Sequence, residues 1–109
     1  MTHKLEILGN LAGEIAKRRN GSPDQSYTAR LLSQGMEKCA KKLGEEAVEL
    51  ALAAVLADRP HIIAEAADVL YHLLVVLEAA DVPVPEVMAE LDQRSAESGL
   101  AEKARRKRT

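Results

Sequence analysis

Aromatic residues are almost missing from this chain. Among its 109 residues there is no Phe and no Trp, and Tyr27 and Tyr71 make up the whole 2%. The core is left to Leu, Val, Ile and Ala, which disfavours a small β-sandwich or barrel built on aromatic and β-branched strands. Cysteine is equally scarce. Cys39 is alone, so neither an internal disulfide nor a Cys-based zinc site forms within one chain. Cys39 reads as an inert helix residue. The start, MTHKLEILGN, lacks the apolar run and cleavage site of a signal peptide. The longest apolar stretch, 62–77, holds Glu65, Asp68 and His72, and is too short and too charged to span a bilayer. The expectation is a cytoplasmic protein with no membrane partner.

What is there balances the absences. A hydrophobic fraction of 47% against 29% charged is the composition of a folded, soluble chain, and the length fits one domain over 1–109. The net charge of −2 is unevenly spread. Lys103, Arg105, Arg106, Lys107 and Arg108 face only Glu102 in the final stretch, so 102–109 reads as a basic tail on an acidic body. Such a tail touches phosphate, its own body or nothing, and most such runs are solvated. Nucleic acid is not expected as a partner, since the body is acidic and two aromatics offer little stacking.

Hydrophobic periodicity predicts helices throughout. Leu5, Leu8, Leu11, Ala12 and Ile15 recur at helical spacing over 3–19. Asn20 to Asp24 is a loop by composition. Ser26 is an N-cap for a short helix to Leu32. A long helix is expected over 36–57, apolar on every side after Glu49 and so buried all round. Asp58-Arg59-Pro60 breaks it, with Pro60 suited to a first helical turn. A second buried helix follows over 61–80. Asp81-Val82-Pro83 ends that one, Pro85 opens a last helix to about Glu97, and Ser98-Gly99 stops it. No segment alternates well enough for a strand. The fold class is therefore all-α: a helical bundle built around a long antiparallel hairpin of 36–57 and 61–80. Its apolar surface exceeds what a monomer of this size covers, so a homodimer completes the bundle.

Two acidic motifs lie in that hairpin. Glu46 and Glu49 are three apart, as are Glu65 and Asp68, and acids at that spacing share a helix face. The pairs Glu46/Asp68 and Glu49/Glu65 have equal index sums, so both stand level across a turn centred near residue 57. Four carboxylates then converge between two helices. Glu65 and Asp68 interrupt an otherwise apolar run, and buried carboxylates need compensation. No stripe of Lys or Arg offers it. A hard cation held by oxygen, Mg²⁺ or Mn²⁺, does. Mg²⁺ held in this way completes its shell with water and phosphate, which points to nucleotide or pyrophosphate chemistry. Glu45 is either a surface partner of Lys41 and Lys42 or part of the site. His72, on the stripe of His61, Glu65 and Asp68, reads as a hydrogen-bonded core histidine rather than a ligand, because Mg²⁺ prefers oxygen. His61, near the turn, reads as solvent-facing.

The pattern E-x-x-E, 15 intervening residues, then E-x-x-D resembles the all-α, MazG-like nucleotide pyrophosphatase superfamily. The flanking segments SYTARLL (26–32), KKLGEEAVEL (41–50), EAADVLYHLLVVL (65–77) and SGLAEKARR (98–106) are similar to the phosphoribosyl-ATP pyrophosphatase family, in register over roughly 26–106. The resemblance implies a Mg²⁺-dependent, homodimeric hydrolase of histidine biosynthesis that turns 1-(5-phosphoribosyl)-ATP and water into phosphoribosyl-AMP and pyrophosphate. It implies metal ligation by Glu46, Glu49, Glu65 and Asp68. Glu45, beside them, is a candidate general base or second metal ligand. Lys42 and Arg30 are candidate phosphate contacts or solvated cations. Lys103 and Arg106 close over substrate or fray with the terminus, and Tyr27 touches substrate or packs.

Two rival functions fit parts of the same sequence. One is a related house-cleaning hydrolase of nucleoside triphosphates, with the same metal chemistry but without use for the SYT segment and the SGL-x-EK tail. The other is a non-catalytic helical interaction module.

Overall fold

The computed structural model describes residues 4–96 and 99–107. Among these residues six helices follow one another, α1 (Glu6–Arg18), α2 (Tyr27–Ser33), α3 (Met36–Val55), α4 (Arg59–Ala79), α5 (Val84–Ser95) and α6 (Gly99–Lys107), and there is no strand. The all-α expectation holds. The long pair α3 and α4 packs along its length, and α1 and α2 lie against it.

The hairpin is fixed at its turn by the chain's own chemistry. Ala57 takes a left-handed backbone, φ 55°, just past α3. Its N–H reaches Ala54 O at 3.1 Å, and the next N–H, of Asp58, reaches Ala53 O at 3.3 Å. That double closure satisfies two of the carbonyls a helix end leaves open. Asp58 then caps α4: its side chain accepts from the N–H of His61, and Pro60 sits in the first turn. α4 ends in the same way, with Asp81 at φ 58° and bonds from Asp81 N to Glu78 O and from Val82 N to Leu77 O. Arg19 closes that end from outside. Its Nη1 donates to Glu78 O at 3.0 Å, Glu78 Oε2 at 2.8 Å and Asp81 Oδ1 at 2.7 Å. Ser26 caps α2 as expected, accepting from Ala29 N at 3.1 Å.

The core is aliphatic. Ile15, Leu31, Cys39, Leu74 and Val75 are its buried centre, edged by Leu8, Leu11, Leu32 and Tyr71. Cys39 is fully buried and its Sγ–H donates to Leu31 O, so it is packing, as expected. Burial pushes its thiol pKa up, away from reactivity.

Three expectations change. The second half of α3 is not covered on all sides: Ala53 is buried, whereas Leu52, Val55 and Leu56 are exposed. One chain lacks the layers to enclose two apolar helices. Second, the helix expected from residue 3 starts at Glu6, without a side-chain cap; residue 3 lies outside the described residues. Third, the basic end is helical rather than a mere tail. Gly99 opens α6, while Ser98, the other expected stop, and Arg108 lie outside the described residues.

The accessible surface is 8037 Å², against roughly 5,900 Å² for a compact monomer of this mass. The radius of gyration is 16.0 Å, against about 13 Å. Part of the excess is a groove of about 620 Å³ between α1, α4 and α5, walled by Leu5, Leu70, Leu73, Leu77, Met88 and Leu91.

Candidate metal centre

Three of the four expected acids come together. Glu46 from α3 and Glu65 and Asp68 from α4 each offer a carboxylate oxygen, all within 4.8 Å of one another. The hairpin turn at 56–58 sets the register, so residues about twenty apart in sequence stand side by side. Glu46 and Glu65 are largely covered, with side chains 20% and 15% exposed. Asp68 is on the open side, not buried as its apolar neighbours suggested. Glu49 is exposed and lies outside the group of three.

The group carries more negative charge than its surroundings offset. Burial pushes the Glu46 carboxyl above its ordinary 4.5, helped by a hydrogen bond with Glu65 and by the charges of Asp68 and Glu65, while Lys42 pulls it back. Two ionised carboxylates are both acceptors, so that bond exists only when one proton is shared. Glu65 Oε2 is buried and has no donor among the described residues. Its other oxygen, Oε1, meets His61 Nε2 at 3.2 Å. An all-oxygen set with an unpartnered buried carboxylate oxygen suits a hard divalent cation.

The cations and rings expected near substrate take these positions. Lys42 Nζ lies 3.6 Å from Glu45 Oε1 and 3.9 Å from Glu46 Oε1. Glu45 is thus held by its surface pairing, and it stays out of the group of three. Arg30 Nε donates to Pro23 O at 3.1 Å, which ties it to the 20–26 loop. Lys103 and Arg106 are exposed on α6. Tyr27 is half exposed and stacks on Tyr71 with ring centroids 6.4 Å apart.

His72 is buried, as expected, but its Nδ1 has no hydrogen-bond partner among the described residues. It packs edge-on against Tyr71 at 5.0 Å and Tyr27 at 6.3 Å. Burial pushes its pKa below the ordinary 6.5. The negative charges of Glu46 and Asp68 oppose that shift, and Lys42 adds to it.

Sequence reasoning missed two links. His61 is exposed, as expected, but its pairing with Glu65, available from i,i+4 spacing, was not drawn. The hydrogen bond between the Thr28 and Tyr71 hydroxyls joins α2 to α4 and had no local signal.

The model of the family "Phosphoribosyl-ATP pyrophosphohydrolase" matches residues 8–95, which includes all of the carboxylates above. The chain belongs to this family. Among related phosphoribosyl-ATP pyrophosphatases, that of Cereibacter sphaeroides is 55% identical over 102 residues, covering 94% of this chain and 99% of that protein. That of Methylobacterium nodulans is 57% identical over 101 residues, covering 93% and 94%. That of Dinoroseobacter shibae is 54% identical over 102 residues, covering 94% and 100%. The phosphoribosyl-ATP pyrophosphohydrolase family was therefore correctly legible in the motifs. No described helix is long and apolar enough to cross a membrane.

Proposed function

We propose that this chain is a Mg²⁺-dependent phosphoribosyl-ATP diphosphatase, with Mn²⁺ as a substitute. It hydrolyses the α–β phosphoanhydride of 1-(5-phosphoribosyl)-ATP to phosphoribosyl-AMP and pyrophosphate, the second step of L-histidine biosynthesis. The observation that carries this reading is the meeting of Glu46, Glu65 and Asp68 within 4.8 Å, inside the segment matched by the family. The names of the relatives support the substrate.

Glu46, Glu65 and Asp68 hold the cation. When bound, it neutralises phosphate charge and stabilises the leaving pyrophosphate. Lys42, one turn before Glu46, adds a positive charge for the phosphates. Glu49 is the general base we assign. It stands one turn beyond Glu45 on α3, exposed and outside the ligand group, so its oxygens are available to take a proton from water. Glu45 is the weaker candidate because Lys42 engages it. We assign further substrate contacts to Tyr27 and Arg30 on α2 and to Lys103 and Arg106 on α6. The protein works in the cytoplasm as a homodimer of one-domain chains, whose partner covers the apolar surface of α3.

Pyrophosphate release is measured from phosphoribosyl-ATP, ATP and dCTP, each with Mg²⁺ and with EDTA. Release from phosphoribosyl-ATP alone, abolished by EDTA, is the expected result. Preferential release from ATP or dCTP overturns the substrate, and release unaffected by EDTA overturns the cation.

A further inference from the structure

His61 and Glu65 are four apart on α4, the spacing of an ordinary surface pair. The two side chains differ sharply in surroundings. His61 is 46% exposed and Glu65 only 15%. Their contact engages one carboxylate oxygen, Oε1, at 3.2 Å. The other, Oε2, is buried without a donor among the described residues. Glu65 is at the same time one of the three acids whose oxygens gather within 4.8 Å. A carboxylate with one oxygen held and the other bare is arranged to ligate through the bare one.

The backbone beneath His61 is fixed as well. Asp58 caps α4 by accepting from the His61 N–H at 3.3 Å. The chain of support runs from Asp58 to His61 to Glu65, and all three members belong to the first turns of one helix. A glutamate side chain with three rotatable bonds loses much of its freedom when one oxygen is tethered, and that ordering cost is then met before any cation arrives.

We propose that His61 is a positioning residue. It donates from Nε2 to Glu65 Oε1 and so keeps Oε2 turned toward Glu46 and Asp68 as the ligand atom. This rests on the cation site proposed above and names a residue outside its ligands. It also gives His61 a use that its position at the turn did not suggest.

The test uses the full-length, metal-free protein and Mn²⁺ alone as probe, with binding followed by electron paramagnetic resonance. The Mg²⁺ concentration for half-maximal hydrolysis is measured beside it. His61→Ala is expected to weaken Mn²⁺ binding about tenfold or more, the usual loss when a ligand's supporting partner is removed. His61→Gln, whose amide N–H reaches a similar position, is expected to stay within about threefold of wild type. Metal-free melting temperatures of both variants should stay close to wild type, because His61 itself is nearly half exposed and a single i,i+4 pair adds little. The proposal is overturned if His61→Ala binds Mn²⁺ as wild type does, or if His61→Gln is no better than His61→Ala. Glu46→Gln separates the two levels of failure. If it abolishes Mn²⁺ binding while His61→Ala does nothing, only the role of His61 falls. If Glu46→Gln also binds normally, the carboxylate site itself falls.

Discussion

Lys42 and Glu46 stand one helical turn apart, Nζ 3.9 Å from Oε1, with the lysine side chain only 26% exposed. One cation therefore already sits against the acidic group, and it competes with a second. Replacing it should move binding and turnover in opposite directions. Lys42→Met is expected to bind Mg²⁺ more tightly, because a like charge has gone. The same variant should lose about 10- to 100-fold in kcat/KM, the scale of a lost hydrogen bond to a charged phosphate. Calorimetric Mg²⁺ titration beside steady-state kinetics checks both. Equal losses in both would mean that Lys42 supports the fold and not the substrate.

Glu46→Gln tests the crowding of charge directly. It keeps the shape and removes a carboxylate whose pKa is raised by burial and by its two acidic neighbours. The metal-free melting temperature should rise by about 4 °C, the shift that ~1 kcal/mol produces in a domain of this size. Wild type gains about 1.4 kcal/mol when Mg²⁺ reaches tenfold its dissociation constant, and the variant should gain almost nothing. Glu49→Gln behaves differently if it is the base: kcat falls at least about 100-fold while the Mg²⁺-dependent rise in melting temperature persists. Thermal unfolding with EDTA and with millimolar Mg²⁺ distinguishes the two variants.

His72 gives a pH signature to the metal-free protein. Burial lowers its pKa in the folded state below the ordinary 6.5, so on acidification the unfolded chain takes up the proton first. Stability should then be constant above about 6.5 and decline as the pH falls from there toward the folded value. The charges of Glu46 and Asp68 act on His72 as well, so the readout is a difference. The gap in melting temperature between wild type and His72→Leu, followed from pH 8 to pH 5 in EDTA, should change below 6.5. A constant gap would remove His72 as its source.

Ala57 occupies a left-handed backbone at φ 55°, a conformation that costs an L-residue with a side chain roughly 1–2 kcal/mol. Glycine relieves it but loosens the unfolded chain by about 0.4–1 kcal/mol. Ala57→Gly should therefore stabilise by about 0.5 kcal/mol, and Ala57→Val should destabilise, since β-branched side chains tolerate this region least. Urea unfolding of the three proteins gives the order.

Leu52 and Val55 are 55% and 84% exposed along α3. Sedimentation at micromolar concentration should find a dimer, and Leu52→Glu should shift it to monomer, because a charge buried at an apolar interface goes unpaired. A wild-type monomer would leave the open surface of α3 without its proposed cover.

The sequence made the hairpin legible because its signals are local. The apolar run after Glu49, the break at Asp58 and the early Pro60 all act within a turn or two. The acids were legible in height but not in direction. Equal index sums fix which residues are level across a turn, whereas the side of each helix they occupy depends on how the two helices rotate against each other. Hence Glu46, Glu65 and Asp68 meet, and Glu49 does not join them. Gly99 was read as a stop because the signals that end one helix are close to those that begin the next, and the structure starts α6 there. The tie between Thr28 and Tyr71 spans the fold and leaves no trace in periodicity.

All three gathered carboxylates belong to one hairpin, roughly twenty residues apart in sequence, so joining them closes only a short loop. Neither α5 nor α6 is required for the carboxylates to find one another. Synthesis runs from the N-terminus, so both helices that carry the acids emerge ahead of α5 and α6. The proposed cation site is thus laid down by the middle of the chain, ahead of its basic end.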